Sequence, residues 1–163
     1  MSETKLRNRH RIPSKNIKDI SAHLADIFGM DVLGDISEMD IAESDAQKAI
    51  IMDNEIVGFF VEDKPLLTVR GLLKYKPEKR YVTVDMGAVK YVASGADIMS
   101  PGIVDADPSI KSGDYVWIRD VNNKRPIAVG KALVDRDKMG KGMSGKAVKN
   151  LHYVGDELWN YKI

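Results

Sequence analysis

The chain has 163 residues, 44% of them hydrophobic and 30% charged, with a formal net charge of +1 and no cysteine. That length and apolar content can bury a core in one domain or two small ones. Disulfide frameworks, thiolate metal sites and a cysteine nucleophile are excluded, and no stretch approaches the roughly 18 uninterrupted apolar residues of a membrane span. No apolar segment follows the basic N-terminus, so no signal peptide is expected, and the lack of cysteine fits a cytoplasmic location.

In chain order, Pro13-Ser14 opens a segment that places Ile17, Ile20, Leu24, Ile27 and Phe28 on one helical stripe. Ser14 is the expected N-cap and Gly29 the expected C-terminal stop. Past a turn at Gly34, Ile36, Met39 and Ile41 lead into Ala49-Ile50-Ile51-Met52. Asp53-Asn54-Glu55 then turns the chain into the run from Ile56 to Val61, a predicted hairpin. Pro65 is expected to break that run, with Leu66, Leu67, Val69, Leu72 and Leu73 in a short second helix. The polar, basic, proline-containing stretch from Lys74 to Arg80 marks a boundary between a domain of residues 1–76 and one of residues 77–163.

Beyond it, Tyr81 to Val84 reads as a strand and Ala88 to Ser94 as a short helix stopped by Gly95. Pro101-Gly102 suits a type II turn, which needs a positive φ at the glycine. Tyr115 to Ile118 and Ile127 to Val134 are strands on either side of a turn at Asn122-Asn123. A Lys/Gly-rich stretch from Lys138 to Lys146 precedes a closing strand with Val148, Leu151, Tyr153 and Val154, and Leu158, Trp159 and Tyr161 suggest an anchored tail. Short strands at turn-punctuated intervals with one helix predict a small β-barrel after an α/β half, an α+β chain.

The near-zero net charge hides blocks. Residues 1–18 carry six basic residues against Glu3, whereas residues 19–63 carry twelve acids against Lys48. Residues 64–90 and 125–163 are basic again. A basic face attracts phosphate, while an acidic one repels it and can dock a basic protein. Folding can equally interleave the blocks into an ordinary mixed surface.

Motifs for catalysis are missing. Met139-Gly140-Lys141-Gly142 has neither the upstream glycine nor the following Ser/Thr of a P-loop, and His10, His23 and His152 lie on separate elements without metal spacing. Ser94 and Ser100 have no nucleophile-elbow context, and the acids between Asp31 and Asp45 form no evident general acid/base pair. A non-enzymatic protein without cofactor or metal is expected. The informative stretch runs from Val84 to Ile103. There Gly95, Ala96 and Gly102 let main-chain groups approach a ligand closely, Lys90 and the basic run from Arg125 to Lys149 offer charge for phosphate, and Tyr91 or Met99 offer a surface for a base. The alternative is that these glycines only permit barrel turns, with Tyr91 and Met99 in the core.

The run Ala93-Ser94-Gly95-Ala96-Asp97-Ile98-Met99-Ser100-Pro101-Gly102-Ile103 resembles the signature of a PUA domain, a small pseudobarrel that binds structured RNA. Gly140-Lys141-Gly142-Met143 and the block from Val148 to Trp159 resemble the C-terminal end of the malignant-T-cell-amplified protein and Tma20 family. The two blocks span most of residues 81–161; residues 1–75 match in architecture alone, and Ser144-Gly145-Lys146-Ala147 departs from the family pattern as a longer basic loop. The resemblance implies an α/β pre-PUA domain followed by a PUA pseudobarrel. It further implies a translation factor that engages the tRNA acceptor end and the small ribosomal subunit in initiation, reinitiation and recycling. On that basis Lys90, Tyr91, Ser94, Gly95, Ala96, Asp97, Met99, Gly102, Lys131, Lys138, Lys141 and Lys146 are the expected RNA-binding residues. A protein partner would dock on the acidic N-terminal domain; separately, the family's eukaryotic members work with a density-regulated partner. The other function implied is an RNA-modification accessory that delivers tRNA or rRNA to a partner enzyme.

Overall fold

The structure, a computed structural model, describes residues 5–163. These divide between Pro77 and Glu78 into two units, and the last seven residues, Glu157–Ile163, return to the first. Sequence placed that tail with the second domain. It belongs to the first because its apolar side chains find their partners there. In the short helix α4 (Glu157–Asn160), Leu158 is buried, as is Tyr161 just beyond it. The Arg70 guanidinium lies 3.8 Å from the centre of the Trp159 ring and donates to the Trp159 carbonyl at 3.2 Å. The Tyr161 hydroxyl donates to Ser44 Oγ at 2.9 Å.

The first unit is an antiparallel five-stranded sheet in the order β1 (Arg7–Arg11), β2 (Asp40–Glu43), β3 (Lys48–Met52), β4 (Glu55–Val61), β5 (Lys64–Leu67). Helices α1 (Ser14–Phe28) and α2 (Val69–Tyr75) pack against β5 and β4 respectively. The stripe of α1 is buried as expected through Ile17, Ile20, Leu24 and Phe28, and Gly29 takes the left-handed C-cap. Ser14 is not the cap: Pro13 holds that position, and no side chain bonds the first turn. The hairpin between β3 and β4 turns through Asp53 and Asn54 at φ 51° and 59°, the geometry whose twist matches its strands.

Pro65 does not break the sheet. Glu62 and Asp63, at φ 51° and 65°, make a second tight hairpin, and Pro65 pairs with Phe60 on the outer strand β5. An outer strand has one side without a neighbour, so a residue lacking N–H is tolerated there. The helix expected from Leu66 onward therefore starts only at Val69, where Thr68 Oγ1 accepts from the Gly71 N–H at 3.1 Å and donates to the Ile56 carbonyl at 2.7 Å.

Strand β1 had no sequence signal, because all five of its residues are exposed and none is apolar. It pairs with β2 through the main chain, and its side chains add charge contacts. Arg9 Nε and Arg11 Nε reach the two oxygens of Asp40 at 2.8 and 2.6 Å, Arg11 also meets Glu38 at 3.3 Å, and Arg7 meets Asp45 at 2.7 Å. The hydrogen bonds from Arg11 and then Arg9 hold the Asp40 carboxyl below the usual carboxylate range. The basic and acidic blocks are thus partly interleaved.

The second unit carries a six-stranded curled sheet in the order β7 (Ile98–Met99), β11 (Lys146–Tyr153), β10 (Pro126–Ala132), β9 (Tyr115–Asp120), β6 (Tyr81–Val84), β8 (Ile103–Ala106). Only β6 and β9 run parallel. Its core gathers Val82, Val84, Ile98, Ile103, Val116 and Val148, with Val92 from the helix α3 (Met86–Val92). Helix α3 starts two residues before the sequence suggested, because Asp85 caps it by accepting from the Ala88 N–H at 2.8 Å. Ser100–Gly102 is a 3-10 turn, not a type II turn, and Gly102 lies outside the left-handed region. Its constraint is proximity: a Cβ there would stand 3.2 Å from the Ala88 Cβ.

Candidate functional site

Helix α3, strand β7, the 3-10 turn and the start of β11 line an open cavity of about 720 Å³ in the second unit. The Asp85 cap sets one wall by fixing where α3 begins. Ser100 sets another: it is buried, its Oγ donates to the Lys138 carbonyl at 2.9 Å, and its N–H donates to the Gly145 carbonyl at 2.9 Å. These two bonds pin the glycine-rich loop beside the turn.

Of the residues expected to bind RNA, Tyr91, Ala96, Asp97, Met99, Gly102 and Lys146 line this cavity. Tyr91 and Met99 are 59% and 47% exposed, so neither is a core residue. The walls are mainly apolar, with Val92, Ile98 and Pro101 adding to them, and Lys146 is the one cation among the lining residues. The arrangement offers a planar apolar group a surface and an anion an ammonium. A cavity of this size is in the range that takes small ligands or a nucleotide.

The other expected residues stand outside the lining. Lys90 Nζ sits 5.1 Å from the centre of the Tyr91 ring, a cation–π contact beside the cavity. Ser94 Oγ donates to the Lys90 carbonyl at 2.7 Å, closing the helix end. Gly95 has a φ of +94°, and a Cβ there would fall 2.9 Å from the Tyr153 ring. Lys131 lies on β10, 5.7 Å from the centre of the Tyr115 ring, and Lys138 and Lys141 are exposed on the glycine-rich loop.

One residue that sequence reasoning missed organises the cavity wall. Asn150 donates its N–H to Asp97 Oδ1 at 3.0 Å and its side-chain amide to the carbonyls of Val92 and Ala96, both at 3.1 Å. Its Oδ1 is buried with no hydrogen-bond partner. Asparagine is uncommon inside strands, and that was the available signal. The Asn150 N–H, followed by Lys146, draws the Asp97 carboxyl below the usual carboxylate range against the opposing effect of burial.

Among the described residues, no group of three His, Cys, Asp or Glu side chains could hold a metal ion. His152 is buried with Nδ1 2.9 Å from Asp156 Oδ2, whereas His23 and His10 are exposed and bond main-chain carbonyls. No helix among the described residues is long and apolar enough to cross a membrane.

Residues 80–154 match the PUA domain family. An uncharacterised protein of Methanocaldococcus jannaschii is 42% identical over 159 residues, covering 96% of this chain and 98% of that protein. Translation machinery-associated protein 20 of Saccharomyces cerevisiae is 29% identical over 118 residues. That match covers 69% of this chain and 65% of the yeast protein, just under two thirds of the relative's length. The solved structure of a conserved PUA domain protein from Thermoplasma acidophilum superposes with a TM-score of 0.81 at 30% identity, covering 93% of this chain and 97% of that one. The α+β architecture is therefore a pre-PUA unit with a PUA sheet. With a matching second unit and full-length similarity to a PUA-domain structure, the chain belongs to the PUA-domain proteins and is similar to Tma20 and the malignant-T-cell-amplified proteins.

Proposed function

We propose that this protein is a non-enzymatic, cytoplasmic factor of the translation apparatus that binds structured RNA, the tRNA acceptor end or the small ribosomal subunit, through the cavity of its second unit. The observation that carries the reading is the joining, in one cavity, of an exposed aromatic ring, a wall of small residues and a single ammonium. An unpaired base stacks on an aromatic ring with about 1–3 kcal/mol of binding energy, and the ammonium meets its phosphate. Duplex RNA hides its bases, so a site of this shape suits an end or a splayed nucleotide. The loop after α1 keeps exposed carboxylates at Asp31, Asp35 and Glu38, while α1 itself balances Asp19 and Asp26 with exposed Lys15 and Lys18; the loop favours a basic protein as its partner over RNA.

Ala96 tests this reading because it is exposed and lines the cavity without sharing a glycine's conformational demands. Ala96→Leu should weaken binding of an unmodified tRNA transcript by about tenfold, the loss of one good base contact, while leaving the thermal melt in place. A folded Ala96→Leu protein that binds like the parent would remove the cavity as the site. Crosslinking in cells should recover small-subunit rRNA or tRNA. Recovery of modification substrates alone would point to an accessory of RNA modification instead.

A further inference from the structure

Lys146 stands at the first position of β11, paired in register with Met99 of β7, which brings its side chain to the cavity. The side chain is 63% exposed, yet its ammonium is not left to roam: Nζ lies 3.3 Å from Asp97 Oδ2. Asp97 is itself fixed, since its other oxygen receives the Asn150 N–H and the neighbouring Ala96 carbonyl receives the Asn150 amide. A chain of contacts thus runs from a strand main chain, through a carboxylate, to a lysine at a cavity mouth.

An ion pair this exposed adds little to stability. Its effect on binding is another matter. A lysine ammonium has three donors, of which Asp97 engages one, so the remainder are available to a ligand. A lysine that captures an anion ordinarily loses much rotamer freedom, and a tether already confines this one. The tether also has a cost, because the carboxylate partly cancels the charge the ligand would feel. Which effect dominates decides the sign of a substitution at Asp97.

We propose that Lys146 is the phosphate-contacting residue of the cavity and that Asp97 is its positioning residue, the cavity taking one nucleotide with its base on the apolar wall and its phosphate at Lys146. This rests on the RNA-binding reading above and adds to it which group reads the phosphate.

The test is titration of the full chain with an unmodified tRNA transcript across a salt series. Lys146→Gln should weaken binding about three- to tenfold and reduce the slope of log K against log salt by about 0.7 to 0.9, the value of one phosphate contact. Lys146→Arg should keep the parent's slope, since charge and reach are retained. Asp97→Asn is the decisive variant, because its side-chain oxygen can still accept the Asn150 N–H and the wall should hold. As a positioning residue, its neutralisation weakens binding about threefold at an unchanged slope, even though the site has become more positive. Stronger binding by Asp97→Asn would show a competing anion and overturn the positioning role. A parent that binds while Lys146→Gln keeps the parent's slope would overturn the Lys146 assignment alone. A parent that does not bind the transcript would overturn the RNA reading and this inference together.

Discussion

In the first unit, Arg9 and Arg11 close on one carboxylate, Asp40, with Glu38 and Asp45 taking further contacts from Arg11 and Arg7. In the second, Lys138 and Lys141 stand exposed on a glycine-rich loop, and Lys146 waits at the mouth of an apolar cavity. Both units contain a basic stretch, and linear charge alone does not tell them apart. The difference is what faces each stretch after folding. The arginines of β1 lie across from an acidic strand and hold a sheet edge that has no apolar side chain to anchor it, whereas the loop lysines project from a unit whose core is already complete without them.

The contrast is sharpened first by the tail, where the largest effect is expected. Leu158 is only 3% exposed, and its packing lies in the first unit. Leu158→Ala should destabilise that unit by about 2–4 kcal/mol, through reduced burial and the cavity left behind. Residues 78–156 alone should still give a dispersed NMR spectrum and a cooperative melt, because their sheet and core are self-contained. Unfolding followed by probes in each unit checks both. A loss of stability that falls equally on the two units would break the division.

Asp40 comes next. Asp40→Asn removes the ionic part of the contacts with Arg9 and Arg11 and should cost about 1 kcal/mol, discounted because both arginines are substantially exposed. The folded carboxyl lies below its ordinary value, so its contribution is complete above the ordinary carboxylate range and is lost as pH falls through the depressed folded value. Denaturant melts should therefore show the acid-side loss of stability reduced in Asp40→Asn. An unchanged acid limb would mean that β1 is not held by this pair.

The loop lysines give the smallest effect. Replacing Lys138 and Lys141 by Gln should leave the melt unchanged and weaken RNA binding by a few-fold, with the salt slope falling by about 0.7 to 0.9 for each phosphate no longer neutralised. A drop in stability would instead place these lysines in the same class as the β1 arginines.

How far the site could be read from the chain varies by residue. Tyr91, Ala96, Asp97, Met99, Gly102 and Lys146 meet in the cavity, and the first five of these sit in one uninterrupted stretch of small and turn-forming residues. Gly102 was singled out for a φ it does not adopt, and the close approach of Ala88 is what constrains it. At Gly95 the positive φ fits the helix stop expected from sequence, and the Tyr153 ring beside it adds a second constraint. Asn150 went unnoticed, since its role depends on a strand that meets the helix-loop segment from 53 positions away.

Sequence by itself determined the elements whose stabilising contacts are local. The stripe and left-handed stop of α1 and the tight turn at Asp53-Asn54 follow from side-chain period and from residues that tolerate positive φ. Only the tertiary structure decided which charges pair, where the tail goes and what lines the cavity. Arg11 finds Asp40 across 29 positions and Tyr161 finds Ser44 across 117, separations over which periodicity carries no information. Those contacts form because the sheet brings distant backbone into register, and a side chain's role is then set by whichever partner the register places opposite it.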